Sequence, residues 1–178
     1  MRSESRASLA GIALALRTLR ALLGRMIEPR EIVFAQGEKP RLAAPGALAS
    51  GESLAACTRG TRCDEASADF SIAHAGPWAA CAALRSGRIG LDIEMGTEPR
   101  IADWVVREAA LKASGEGLRA FTEVKDLAMH AHRLHWRGEA WHVRRLGGFA
   151  GACACLVSTL ELHEVETHKI ELAELFGS

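Results

Sequence analysis

The sequence has no excess of charge of either sign, no long apolar run and no recurring cysteine spacing, and each absence removes a class of function. Lysine and arginine number 22, as do aspartate and glutamate, so the chain lacks the basic footprint of a nucleic-acid binder. The apolar stretch from Leu9 to Leu16 is too short to span a bilayer, and Arg17, Arg20 and Arg25 follow it closely. It reads as a surface helix rather than a cleaved leader or a membrane anchor. Five cysteines, an odd number, stand at Cys57, Cys63, Cys81, Cys153 and Cys155 without the repeated pairs of a zinc ribbon or a secreted disulfide scaffold. Reduced thiols and a cytoplasmic setting are the expectation. Neither a P-loop nor a dinucleotide-binding glycine pattern is present, and no segment repeats.

What remains is an ordinary apolar fraction of 48% in 178 residues, enough for one domain or two small packed lobes. Leu9, Ile12, Leu16, Leu19, Leu23 and Met26 recur at steps of three and four, which predicts a helix starting near Ser5 or Ser8 and ending before Glu28-Pro29. Glu31 to Phe34 is a short strand candidate. Gly37-Glu38-Lys39-Pro40 is a turn, and Ala43 to Ala68 reads as a loop. Phe70 to His74 and Trp78 to Leu84 are extended runs split by Gly76-Pro77, and Ser86-Gly87 turns the chain into a strand from Arg88 to Glu94. Asp103 is placed to cap a helix from Trp104 through Leu111 and Lys112 to Gly115 or Gly117. Leu134 to Trp136, Trp141 to Leu146 and Ala150 to Ser158, joined by glycine turns, predict an antiparallel meander.

Two places bear chemistry. Asp92 and Glu94 alternate on a strand, so their carboxylates leave one face about 7 Å apart along the chain, a spacing that suits a hard divalent cation. Taken alone, such a pair is usually a solvent-facing feature of an amphipathic strand. Glu108 and Lys112 lie four residues apart on the predicted helix and share its face. A third carboxylate could complete a cation site or serve as a general base, and the lysine could neutralise a phosphate. His74, at the end of a strand beside Gly76, is placed to meet an anion, although a lone histidine is more often structural. His130, His132, His135 and His142 match no zinc spacing and span a strand pair.

In family order, three blocks resemble the phosphopantetheinyl transferase superfamily in its single-chain, surfactin-type branch. Phe70-Ser71-Ile72-Ala73-His74-Ala75-Gly76-Pro77-Trp78 resembles the family's serine-histidine-serine-glycine strand and turn. Ile89-Gly90-Leu91-Asp92-Ile93-Glu94 is similar to its metal-binding strand. Trp104-Val105-Val106-Arg107-Glu108-Ala109-Ala110-Leu111-Lys112 is similar to its tryptophan-lysine-glutamate-alanine…lysine helix. Gly37-Glu38-Lys39-Pro40 is a weaker match to a glycine-lysine-proline turn.

The resemblance implies an α+β fold of two similar lobes related by a pseudo-twofold, residues 1–91 and 92–178, with the active site in the cleft between them. It implies transfer of the phosphopantetheine arm of coenzyme A to a serine of an acyl or peptidyl carrier protein, with magnesium. Asp92, Glu94 and Glu108 would hold magnesium, Glu108 would also be the candidate base, and Lys112 would neutralise the pyrophosphate. His74 would contact a coenzyme A phosphate, and Lys39 would lie beside the adenine nucleotide. No nucleic-acid or membrane partner is expected, and a monomer would suffice. The chain departs from the pattern in several ways, among them a short portion before the glycine-lysine-proline turn and Ile12 near where relatives often place a phosphate-binding arginine. Ala73 and Ala75 replace the usual serines, Arg107 replaces a lysine, and only 13 residues separate Glu94 from Glu108 where the family usually has several tens. The alternative these departures favour is a non-catalytic relative that binds coenzyme A or a carrier protein.

Overall fold

The structure, a computed structural model, describes residues 2–34, 38–43, 68–124, 127, 129–130 and 132–176. The chain is a mixed α+β protein in which every strand pair is antiparallel among the described residues. Helix α1 (Arg2–Leu23) is followed by a short pair, β1 (Ile32–Val33) and β2 (Arg41–Leu42), and then by a hairpin of β3 (Ala68–Ala75) and β4 (Trp78–Arg85). Strand β5 (Ile89–Met95) leads into α2 (Pro99–Ser114) and the short α3 (Phe121–Val124). The chain then meanders through β6 (Met129–His130), β7 (Arg133–Trp136), β8 (Glu139–Leu146) and β9 (Ala152–Ser158), and ends with α4 (Leu172–Phe176). The meander folds back so that β9 lies beside β5, in the order β5-β9-β8-β7-β6. Among the described residues no helix is long and apolar enough to cross a membrane.

Each long helix lies on a sheet, and small residues set how closely. Helix α1 packs on β3 and β4. Its fully buried side chains are Ala15 and Leu19, with Leu16, Leu22 and Leu23 at the margin. This is narrower than the stripe the periodicity predicts. Leu9 is 58% exposed, and Met26 at 70% falls beyond the end of the helix. The contact line is shifted to Gly11, where an added Cβ would come within 2.7 Å of the Ile72 side chain on β3. The helix also begins earlier, at Arg2, than the serines suggested.

Helix α2 likewise starts before Asp103. Glu98 is its N-cap residue and Pro99 is in the first turn, where proline's fixed φ and missing N–H cost nothing. Asp103 therefore sits inside the helix. Gly115 ends it in the left-handed conformation at φ 76°, with its N–H donating to the Leu111 carbonyl. Val105, Val106, Ala109, Leu111 and Ala113 of α2 form one core with Leu134, Trp136, Trp141, Cys155 and Val157 of the meander. A second core, Leu91 and Ile93 with Ala73, Ala154 and Leu156, lies on the opposite face of β5.

Between β3 and β5 the joint is made by side chains rather than by a ladder. The Ile89 N–H donates to Asp69 Oδ2 at 2.7 Å, and the Leu91 N–H donates to Ser71 Oγ at 3.0 Å. The division expected at residue 91 thus falls within β5, which is laddered to β9 and tied through these bonds to β3. Ser71 is buried, so Ser71→Ala would leave the Leu91 N–H without a partner. The expected loss is about 1–3 kcal/mol, read as a lower urea midpoint at unchanged slope. An unchanged midpoint would show that the hydroxyl does not carry the joint.

Of the segment expected to be a loop, Ala43 to Ala68, residues 44–67 lie outside the described residues and Ala68 begins β3; Gly37 of the predicted turn, Cys57 and Cys63 also lie outside them.

Candidate functional site

The site begins with Gly90. Along β5 the residues alternate, with Leu91 and Ile93 turned to one core and Gly90, Asp92 and Glu94 to the side covered by α2. A Cβ on Gly90 would lie 1.9 Å from the Ala109 carbonyl oxygen and 2.5 Å from the Ala113 nitrogen, so the helix backbone rests directly on the strand. Ala109 and Ala113 keep that contact small. Because α2 sits this close, its Glu108 and Lys112, one turn apart, reach the carboxylates of β5.

One oxygen from each of Asp92, Glu94 and Glu108 lies within 4.8 Å of the others. Among the described residues this is the only group of three or more such side chains close enough to share an ion. Asp92 is 2% exposed, while Glu94 and Glu108 are half-buried. The Lys112 ammonium contacts Asp92 Oδ1 at 2.6 Å and Glu108 Oε1 at 3.5 Å. Asp92 Oδ2 is buried without a hydrogen-bond partner. Burial pushes the Asp92 carboxyl up to about 7, against the pull of Lys112, with Glu108 and Glu94 adding to the rise.

These residues fit a divalent cation of the magnesium type. The donor set is all oxygen, one buried donor atom lacks a partner, and three carboxylates against one ammonium leave a net negative site. Asp92, Glu94, Glu108 and Lys112 are thus gathered at one place from two elements, as the spacing suggested they could be.

The other two expected site residues stand apart from this group. Lys39 is 9% exposed on its side chain and is engaged twice, its ammonium contacting Asp69 Oδ2 and donating to the Ile89 carbonyl, each at 2.5 Å. Burial lowers its proton affinity, and Asp69 opposes that shift. It thereby locks the segment before β2 to β3 and to the start of β5, the end away from Glu94. His74 is exposed and alternates with Phe70 and Ile72, on the face of β3 toward α1. It makes no hydrogen bond or ion pair among the described residues. Trp104 is half-buried and tilts against Phe121 at 5.5 Å between ring centroids. His132 and His135 are exposed and His142 is half-buried. Cys81, Cys153 and Cys155 are free thiols, and burial raises Cys81 and Cys155 to about 12.

Asp69, Ser71 and Gly90 were not singled out for a role by the sequence, yet they hold β5 in place. A signal for the first two was available: polar residues at alternate positions of an otherwise apolar strand share one face, and that face must find donors.

No family model matches the chain, and no curated protein matches it either.

Proposed function

We propose that the chain is a magnesium-dependent phosphopantetheinyl transferase that moves the arm of coenzyme A to a serine of an acyl or peptidyl carrier protein. The observation that carries this reading is the convergence of Asp92, Glu94 and Glu108 within 4.8 Å, with Lys112 at the same point. Support also comes from the architecture, since α1 on the β3–β4 hairpin and α2 on the five-stranded sheet suit two similar α+β lobes with β5 at their boundary.

Asp92, Glu94 and Glu108 would hold the ion, which when bound would neutralise charge growing on the pyrophosphate. In the transfer, the carrier serine oxygen bonds to the β-phosphorus of coenzyme A and the bond to adenosine 3′,5′-bisphosphate breaks. The serine proton goes to a base, and Glu108, half-buried on α2, is the candidate. Lys112, on a flexible stem with its side chain 28% exposed, is the cation placed to meet the pyrophosphate. His74 would contact a coenzyme A phosphate. Lys39 supports the reading less, because its ammonium is already committed to Asp69 and Ile89.

The non-catalytic alternative, a binder of coenzyme A or carrier protein, is favoured by the short connection from β5 to α2. It consists of Gly96, Thr97 and Glu98, too few residues to form a covering segment of their own. Intact-mass measurement separates the two. Several apo carrier proteins incubated with the chain, coenzyme A and magnesium should include at least one that gains a single phosphopantetheine. If none gains mass while coenzyme A still binds, the transferase reading fails and the binder reading replaces it.

A further inference from the structure

We infer that Lys112 is a resident occupant of the cation site, whose ammonium stands in for the divalent ion in the metal-free chain and has to be displaced for the ion to enter. This rests on the reading of Asp92, Glu94 and Glu108 as the ion's ligands. The ammonium touches two of those three residues, at 2.6 Å from Asp92 Oδ1 and 3.5 Å from Glu108 Oε1, in a group whose oxygens span no more than 4.8 Å. An ion bound by the same oxygens would meet that ammonium at contact distance, and like charges so placed in a partly buried site repel strongly. The two cations therefore exclude each other.

Asp92 explains why a stand-in is needed. It is nearly fully buried and its Oδ2 has no partner, so without a cation its charge would be left uncompensated. Lys112 supplies that charge from α2, while its partly exposed side chain leaves a path outward. Once displaced, the ammonium lacks a counter-ion, and a pyrophosphate-bearing ligand supplies one. Entry of the ion and of the phosphate ligand then favour each other, by reciprocal linkage. A site built this way holds magnesium weakly alone and firmly with its phosphate ligand.

Calorimetric titration of the full chain with magnesium alone tests the inference. Lys112→Met, which removes the ammonium, is expected to bind magnesium at least about tenfold more tightly than the unsubstituted chain, since one repelling charge is gone. Lys112→Arg keeps the charge and should stay within about threefold. Lys112→Gln, which keeps a donor toward Asp92, should gain in the same direction and serves if the methionine variant does not fold. Equal or weaker binding by Lys112→Met and Lys112→Gln would overturn the stand-in role while leaving the ion site intact. Absence of magnesium binding by all the proteins would overturn the ion site itself, and this inference with it.

Discussion

Replacing Gly90 by alanine should cost on the order of 3 kcal/mol or more and should abolish ion binding at the same time. The added Cβ would sit 1.9 Å from the Ala109 carbonyl oxygen, a backbone atom that no rotamer change can move. Relief requires lifting α2 off β5, and Glu108 and Lys112 travel with the helix. Stability and site are lost through one contact. Gly147→Ala is the matched control, because nothing lies within 4 Å of its added Cβ. Its effect should stay within about 0.5 kcal/mol. Urea unfolding and magnesium titration read both consequences. A Gly90→Ala chain as stable as Gly147→Ala would mean that α2 does not rest on the strand as described.

Asp92→Asn should stabilise the metal-free chain at pH 8, an unusual direction for a substitution in a buried site. The folded carboxyl holds its proton up to about 7, whereas the unfolded one releases it near 3.8. Lowering the pH through that window therefore stabilises the fold, because the native chain takes up a proton that the unfolded chain takes up only later. Above pH 7 the charged, buried Asp92 costs on the order of 4 kcal/mol, with the attraction of Lys112 already included. The advantage of the asparagine variant should be largest above pH 7 and vanish as the pH falls to about 4. On the proposed reading of the site magnesium should reverse the ranking, since it would stabilise the aspartate chain by binding and have less purchase on the amide. Urea midpoints of both chains, at several pH values with and without magnesium, check the pattern. A variant less stable at pH 8 without metal would show that Asp92 is fully compensated in the folded chain.

The strand and meander positions were legible because alternation and glycine turns are local signals. Trp78 to Leu84, Arg88 to Glu94 and Trp141 to Leu146 were readable for that reason, and β4, β5 and β8 occupy them within a residue or two. The face shared by Asp92 and Glu94, and the pairing of Glu108 with Lys112, follow from the periods of strand and helix. What periodicity cannot give is how close two elements come. Gly11 and Gly90 look like helix- and strand-weakening residues until the opposing Ile72 and Ala109 are known, so the true contact line of α1 and the seat of α2 were hidden. The start of α2 was missed because Asp103 is a good cap residue, whereas Glu98-Pro99 offers an equally good first turn closer to the strand. Lys39 shows the same limit. Its motif suggests a ligand, but only tertiary packing could bring Asp69 and the Ile89 carbonyl to its ammonium.

The rate at which Asp92→Asn transfers the arm of coenzyme A to an apo carrier protein under limiting magnesium tests the proposed chemistry most directly. Asparagine keeps the shape of Asp92 but removes the charge that the buried side chain offers an ion. Transfer by the folded variant should fall at least about 100-fold below that of the unsubstituted chain, and excess magnesium should recover part of the loss. Transfer at the unsubstituted rate would mean that Asp92 holds no ion and that the group it forms with Glu94 and Glu108 is not the centre of the reaction.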